Sequence, residues 1–209
     1  MTKKLDLKLD HITVVARTLD EGADHIRQTL GIDMPQGGAH PAMGTHNRLL
    51  SLGESSFLEL IAVDPQATAP DRPRWFDLNR FDGRPLLATW VLGTDDIRTA
   101  LPTAHPDSGK PTQITRGDLS WLISVPENGF MPLDGAFPTL IEWPDGPHPA
   151  SRMTDLGCRL QSLSISHPDA ETIDIWIGDR LDRTYITIWN GPKAISAEIE
   201  TPNGMKVLC

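Results

Sequence analysis

No apolar stretch in the 209-residue chain approaches the roughly 18–20 residues that a membrane-spanning helix needs. Two cysteines, Cys158 and Cys209, are too few for a disulfide framework or a thiolate zinc cluster. Basic residues are also short: 19 Lys and Arg stand against 28 Asp and Glu. The resulting net charge of −9 has the wrong sign for a protein steered by nucleic-acid phosphate. There is no Gly-x-Gly-x-x-Gly, no P-loop and no Gly-x-Ser-x-Gly elbow, so dinucleotide, nucleotide and serine-hydrolase chemistry lack their usual carriers. The opening Met-Thr-Lys-Lys-Leu-Asp turns to charge at once, unlike a secretory signal, and the expected address is the cytoplasm.

What is present suits a soluble, folded chain. Hydrophobic residues make up 39%, enough for one sizeable core, and a single domain spanning 1–209 is expected. Eighteen prolines and seventeen glycines are spread along the chain rather than clustered, which predicts many short strands separated by turns. Residues 7–15 read as a strand rich in β-branched side chains. Thr18 or Asp20 can cap a helix running to about Leu30, with Gly31 as its stop. The Gly/Pro-rich stretch 35–44 can hide a weak strand, and 46–52 with 57–63 form the clearest hairpin. Residues 64–85 read as a connector carrying one short helix.

The pattern then restarts. A strand is expected at 86–92, with a short helix capped by Thr94 or Asp95. A hairpin about Gly117-Asp118 and a strand at 139–143 follow. A third, shorter echo has strands at 160–166 and 184–189 around a helix at 169–181. A hairpin about Thr201-Pro-Asn-Gly closes it. The expected modules are thus 7–63, 86–143 and 159–208. Phe57-Leu-Glu-Leu-Ile and Thr139-Leu-Ile-Glu-Trp each set one carboxylate in an apolar strand, a repeat that speaks of fold before function.

Several residues could carry chemistry. His11, between Asp10 and Ile12 in the first strand, reads as a core histidine held by one hydrogen bond or as an imidazole ligand. A carboxylate such as Glu59, set among leucines, must face solvent or a partner, because an isolated buried charge is prohibitive. If the hairpin turns symmetrically about Glu54-Ser55, Leu50 faces Glu59, and His46, Arg48 and Glu59 share a face. Such a face is a polar cavity wall, unless a one-residue bulge undoes it. Glu142 repeats the geometry, Trp143 can line a wall, and His148 sits in a rigid loop just beyond. His25, His105 and His167 suit surface or capping roles, and Cys158 is assigned no nucleophilic role.

Leu9-Asp-His-Ile-Thr-Val opening a β-α-β-β-β unit that closes on Phe-Leu-Glu-Leu resembles the vicinal oxygen chelate superfamily of glyoxalase I, extradiol dioxygenases and bleomycin-resistance proteins. The phrases Gly44-Thr-His-Asn-Arg-Leu-Leu-Ser-Leu-Gly and Ile141-Glu-Trp followed by His148-Pro are similar to its glyoxalase-like branch. The resemblance implies an α+β fold of paired βαβββ modules, curved mixed sheets around a cavity and a third unit appended. It also implies a divalent ion (Zn, Mn, Fe, Ni or Co) held by His11, Glu59 and Glu142. Glu142 or His46 would move a proton, and Arg48, Trp143 and His148 would hold the substrate. One departure stands out: pairing Thr18 with Thr94 sets Leu87 or Ala88 opposite His11, and neither can bind a metal.

Two functions follow from this reading. The first is a metal-dependent lyase, isomerase or dioxygenase acting on a small oxygen-bearing molecule. The second is a metal-free protein that sequesters a small molecule. Neither calls for nucleic acid or a membrane, and a homodimer is left open.

Overall fold

In the computed structural model, which describes residues 6–117 and 119–209, two four-strand units join edge to edge in one eight-stranded sheet. The first unit runs β1 (Leu7–Val15), α1 (Leu19–Leu30), β2 (Gln36–His40), β3 (Thr45–Ser51) and β4 (Phe57–Val63). The second runs β5 (Leu86–Thr94), α2 (Ile97–Ala100), β6 (Lys110–Arg116), β7 (Leu119–Val125) and β8 (Thr139–Glu142). The strand order β2-β3-β4-β1-β5-β8-β7-β6 shows the repeat directly. Each unit places its first strand parallel to its last, and β1 and β5 pair antiparallel at the centre. The sheet curves until β2 approaches β6 at its far ends, so it is nearly closed around an interior.

A second sheet, ordered β10-β9-β11-β12, comes from β9 (Arg159–His167), β10 (Ile186–Asn190), β11 (Ala194–Thr201) and β12 (Gly204–Leu208), with α3 (Ala170–Ile177) between its first two strands. Its strand order is not that of the first two units. The sequence expectation of an α+β protein with curved mixed sheets matches this architecture.

Local chemistry explains the elements that position the site. The Thr18 hydroxyl accepts the Glu21 N–H at 3.2 Å and starts α1; Gly31, at φ +72°, ends it in the left-handed conformation that glycine adopts without strain. Gly22, Ile26 and Leu30 form the buried stripe of α1, and Gly22 lies so close to Leu60 of β4 that a methyl there would collide. Alternation along the strands splits the core in two. Ile12, Val14, Leu58 and Leu60 face the helices and the second sheet, whereas Val15, Ile61, Val91 and Ile141 face the interior of the curved sheet.

Three expectations change. Residues 64–85 contain turns but no helix among the described residues, because Phe76 and Asp77 take left-handed φ values of +54° and +55° that break a helix at once. The cap of α2 is Asp96 rather than Thr94 or Asp95; its side chain accepts the Thr99 N–H at 3.0 Å. The helix α3 stops at Ile177, ahead of Gly178, instead of reaching Leu181. Of the expected Gly117-Asp118 turn between β6 and β7, Asp118 lies outside the described residues, as does the opening segment 1–5.

Candidate functional site

A bulge in β1 builds the site. Leu9 pairs with Leu92 of β5 and His11 with Val91, so one residue, Asp10, is inserted between them. Strict alternation would send Asp10 and His11 to opposite faces; the extra residue lets both carry the same site. The Asp10 carboxylate, 2% exposed, takes three hydrogen bonds. His11 Nδ1 lies 2.6 Å from its Oδ1; Trp143 Nε1 at 2.7 Å and His148 Nε2 at 3.0 Å reach its Oδ2. Burial alone would raise the Asp10 pKa, but the hydrogen bonds and charges of His11 and His148 outweigh it and hold it at about 2.

An ionised carboxylate only accepts, so His11 carries a proton on Nδ1, and in the neutral ring Nε2 is then the acceptor. The His11 ring stacks on Phe57, with centroids 4.5 Å apart. His148 is held as the opposite tautomer, because its Nδ1 accepts the Ala150 N–H while Nε2 faces Asp10.

Glu59 faces His11 across the β1–β4 pair, its Oε2 3.6 Å from His11 Nε2, and it is 6% exposed. Its other oxygen accepts from Asn47 Nδ2 at 2.7 Å. Asn47 Oδ1 in turn accepts from the Gly38 N–H at 2.9 Å and from Arg116 Nη1 at 3.2 Å. His40, packed edge-on against Trp75 and Trp121, completes this wall. Burial pushes its pKa down to about 4, with the Glu59 charge opposing, so it is neutral at pH 7. These groups line a cavity with free volume of ≈ 30 Å³, room for a water or one functional group.

The expected site residues divide into two groups. His11, Glu59 and Trp143 line this cavity, and His148 joins them from behind through its bond to Asp10. His46, Arg48 and Glu142 do not. The hairpin loop spans residues 52–56 and is centred on Glu54: Ser51 pairs with Phe57 and Leu49, not Leu50, with Glu59. The Ser51 hydroxyl sets this odd loop by accepting the Gly53 N–H at 3.2 Å. A shift of one residue turns every side chain over. Asn47 and Leu49 therefore join Glu59, while His46 and Arg48 go to the helix side. There Arg48 donates to the Met34 carbonyl at 3.3 Å and lies 3.6 Å from Asp20. Glu142 is out of phase in the same way: Ile141 and Trp143 line the cavity, and Glu142 accepts the Ile97 N–H at 2.7 Å at the start of α2.

Asp10, His40, Asn47 and Arg116 were missed. The signal for Asp10 was its place in the Leu9-Asp-His-Ile phrase, and for Asn47 its place beside His46. Plain alternation points both away from the face of His11 and Glu59. His105 and His167 do cap turns, accepting the Asp107 and Asp169 N–H groups at 3.2 and 2.9 Å.

The donor set bears on a metal. His11 Nε2 and Glu59 Oε2 converge, and Asp10 supports the imidazole as carboxylates behind metal-bound histidines do. The second unit supplies nothing to match. Thr13, two residues after His11, pairs with Glu59; Gly93, two residues after Val91, pairs with Ile141. The places of His11 and Glu59 are thus taken by Val91 and Ile141, and the position set opposite His11 is Val91 rather than Leu87 or Ala88. Among the described residues no three His, Cys, Asp or Glu side chains gather within a metal's reach. Catalytic zinc takes three protein ligands; with His11 and Glu59 alone converging among the described residues, the set does not fit a resident zinc ion.

Residues 9–180 match the family described as a glyoxalase-like domain. No curated protein matches the sequence. A hypothetical protein from Staphylococcus aureus is 17% identical over 82% of this chain and 74% of that one, with a TM-score of 0.56. A variant of 4-hydroxymandelate synthase from Streptomyces coelicolor is 16% identical over 97% of this chain and 62% of that one, with a TM-score of 0.53. A variant methylmalonyl-CoA epimerase of Streptomyces coelicolor, in complex with 2-nitronate-propionyl-CoA, is 15% identical over 68% of this chain and 97% of that one, with a TM-score of 0.43. At these identities the first two likenesses show a shared fold and nothing finer.

Proposed function

Because the chain belongs to the glyoxalase-like domain family, we propose that it is an enzyme that moves a proton next to a carbonyl of a small organic molecule, with His11 as the base. The observation that carries this reading is the convergence of two buried proton-exchanging groups: His11 Nε2 and Glu59 Oε2 stand 3.6 Å apart, with the Asp10 carboxylate behind His11 Nδ1.

A substrate C–H or O–H enters between them, and His11 takes the proton at Nε2. The imidazolium is stabilised by the Asp10 carboxylate at Nδ1 and by Glu59 beside Nε2. Asp10, with its pKa near 2, stays ionised and orients the ring without taking the proton. The charge left on the substrate oxygen needs a donor. Trp75 lines the cavity, and its indole N–H is buried without a hydrogen-bond partner among the described residues, which suits it to that task. Return of the proton from His11 to a second carbon, or to the other face of the first, completes an isomerisation.

The test is deuterium uptake in D2O, followed by proton NMR over a panel of small ketones, 2-oxo acids and 1,3-dicarbonyls. Wild type should accelerate exchange of at least one compound, and His11→Gln should slow it about 100-fold or more. Exchange that survives His11→Gln overturns the reading. Compounds that bind without exchanging place the protein with sequestering proteins instead.

A further inference from the structure

The inner cavity holds one functional group, so the body of any ligand lies outside it. Directly outside is a vestibule of ≈ 460 Å³ that shares Leu49, Arg116, Trp143, Pro149 and Met153 with the cavity, making one cleft of the two. We propose that Arg116 makes this vestibule an anion subsite, which seats the carboxylate of a small organic acid while its apolar body lies against Trp143 and Leu119. The subsite deepens the proton-transfer reading by naming the substrate class, and it rests on that reading only for what happens to the molecule once bound.

Arg116 is placed and left incomplete. It is half-buried at the boundary of the two spaces, and its one hydrogen bond among the described residues goes to a neutral acceptor, Asn47 Oδ1. No described carboxylate comes within 4 Å of it, whereas Arg17, Arg27, Arg80, Arg159 and Arg183 each hold one at 2.6–2.9 Å. Burial presses its pKa down, and the Glu59 charge opposes this from a distance. A guanidinium has five donors in a planar fork that suits a carboxylate, and one of them is used among the described residues.

Its position is enforced by packing. The side chain crosses β2 at Gly38, where a methyl would press on its Cδ, and it lies 5.9 Å from the Trp121 ring. Arg152, exposed at the rim, adds a second positive charge; Asp145 is the one acid among the described residues of the vestibule. On a protein of net charge −9, anions are repelled in general, so an anion that binds here does so through a local arrangement.

The probes are benzoate and its uncharged analogue benzamide, titrated into the full chain and read by tryptophan fluorescence and calorimetry. Benzoate has no hydrogen next to its carbonyl to give up, so the result is independent of His11 as a base. Benzoate should bind about ten- to hundredfold more tightly than benzamide, the ratio expected for one charge-assisted pair. Arg116→Gln should erase the preference. Arg116→Lys, the smaller change should the first variant fold poorly, should keep part of it, because charge remains without the fork. Equal binding of the two probes by wild type, or full preference in either variant, overturns the subsite. Deuterium exchange without benzoate preference refutes the subsite alone; benzoate preference without exchange refutes only the base.

Discussion

Asp10→Asn changes almost no volume and removes the charge on which the site is hung. In the wild type, one oxygen serves His11 and the other serves Trp143 and His148. Asparagine has a single acceptor oxygen. If it keeps Trp143 and His148, its amide faces His11 and donates to Nδ1, which drives the proton to Nε2 and removes the acceptor from the cavity. A wrong tautomer of this kind costs about 10⁴-fold in a Ser-His-Asp triad, and a loss of that order is expected for proton transfer here.

Stability gives an independent number. The Asp10 pKa falls from its ordinary 3.8 to about 2 on folding, which at about 1.4 kcal/mol per pH unit is about 2 kcal/mol at neutral pH. A depressed carboxyl contributes stability that is fully present above its unfolded pKa and lost as pH falls through the folded one. The gap between wild type and Asp10→Asn should therefore be about 2 kcal/mol at pH 7, about half that near pH 3, and absent below pH 2. The melting temperature at pH 7 should drop by about 4–8 °C for a chain of this size. Urea titrations of both proteins at pH 7 and pH 3 make the measurement, and common acid effects cancel in the difference. A gap below about 0.5 kcal/mol at pH 7, or the same gap at both pH values, refutes the reasoning.

Four further outcomes are expected. Glu142→Ala should cost about 1 kcal/mol by removing the acceptor of the Ile97 N–H, and should leave ligand binding and exchange unchanged, as chemical denaturation and kinetics will show. Wild-type melting should not move with chelator or with added Zn²⁺, whereas Val91→His with Ile141→Glu should gain a Zn²⁺-dependent rise in melting temperature. The neutral His40 opposes protonation, so wild type should lose up to about 3 kcal/mol as pH falls from 6.5 to 4; His40→Phe, with a ring but no titrating nitrogen, should lack that slope in urea titrations. Gly37→Ala should destabilise by about 1–3 kcal/mol, because the methyl meets the Asn47 amide oxygen and backbone carbonyl; circular dichroism melts will report it.

The sequence made some parts legible and hid others for physical reasons. The strand Leu7–Val15, the helix between Thr18 and Gly31, and the hairpin after Thr45 could be read because propensity, capping and turn residues act within a few positions. The β2 strand at Gln36–His40 was faint, because two glycines stand in it. The site depends on phase, and phase is set at a distance. Whether Asp10 is an extra residue is decided by its pairing with β5, some 80 residues on. Whether Arg48 or Asn47 faces Glu59 turns on an odd rather than an even loop about Glu54. Whether Ile141 or Glu142 looks inward follows from the pairing of β8 with β5 and β7. His11 and Glu59 meet because β1 and β4, the first and last strands of the unit, adjoin in the sheet, an adjacency the β-α-β-β-β order already implies.

The three bonds to Asp10 also couple the site to the order in which the chain assembles. One partner, His11, is the next residue; the other two, Trp143 and His148, are 133 and 138 positions away. A first unit folded by itself has neither β5 beside Asp10 nor two of its three donors, so its carboxylate stays in water, where an ionised group is cheapest. The later donors complete its hydrogen bonding only when the second unit docks. A half-assembled chain should therefore leave the Asp10 end of β1 frayed and wet, with His11 free to switch tautomers until the two halves close.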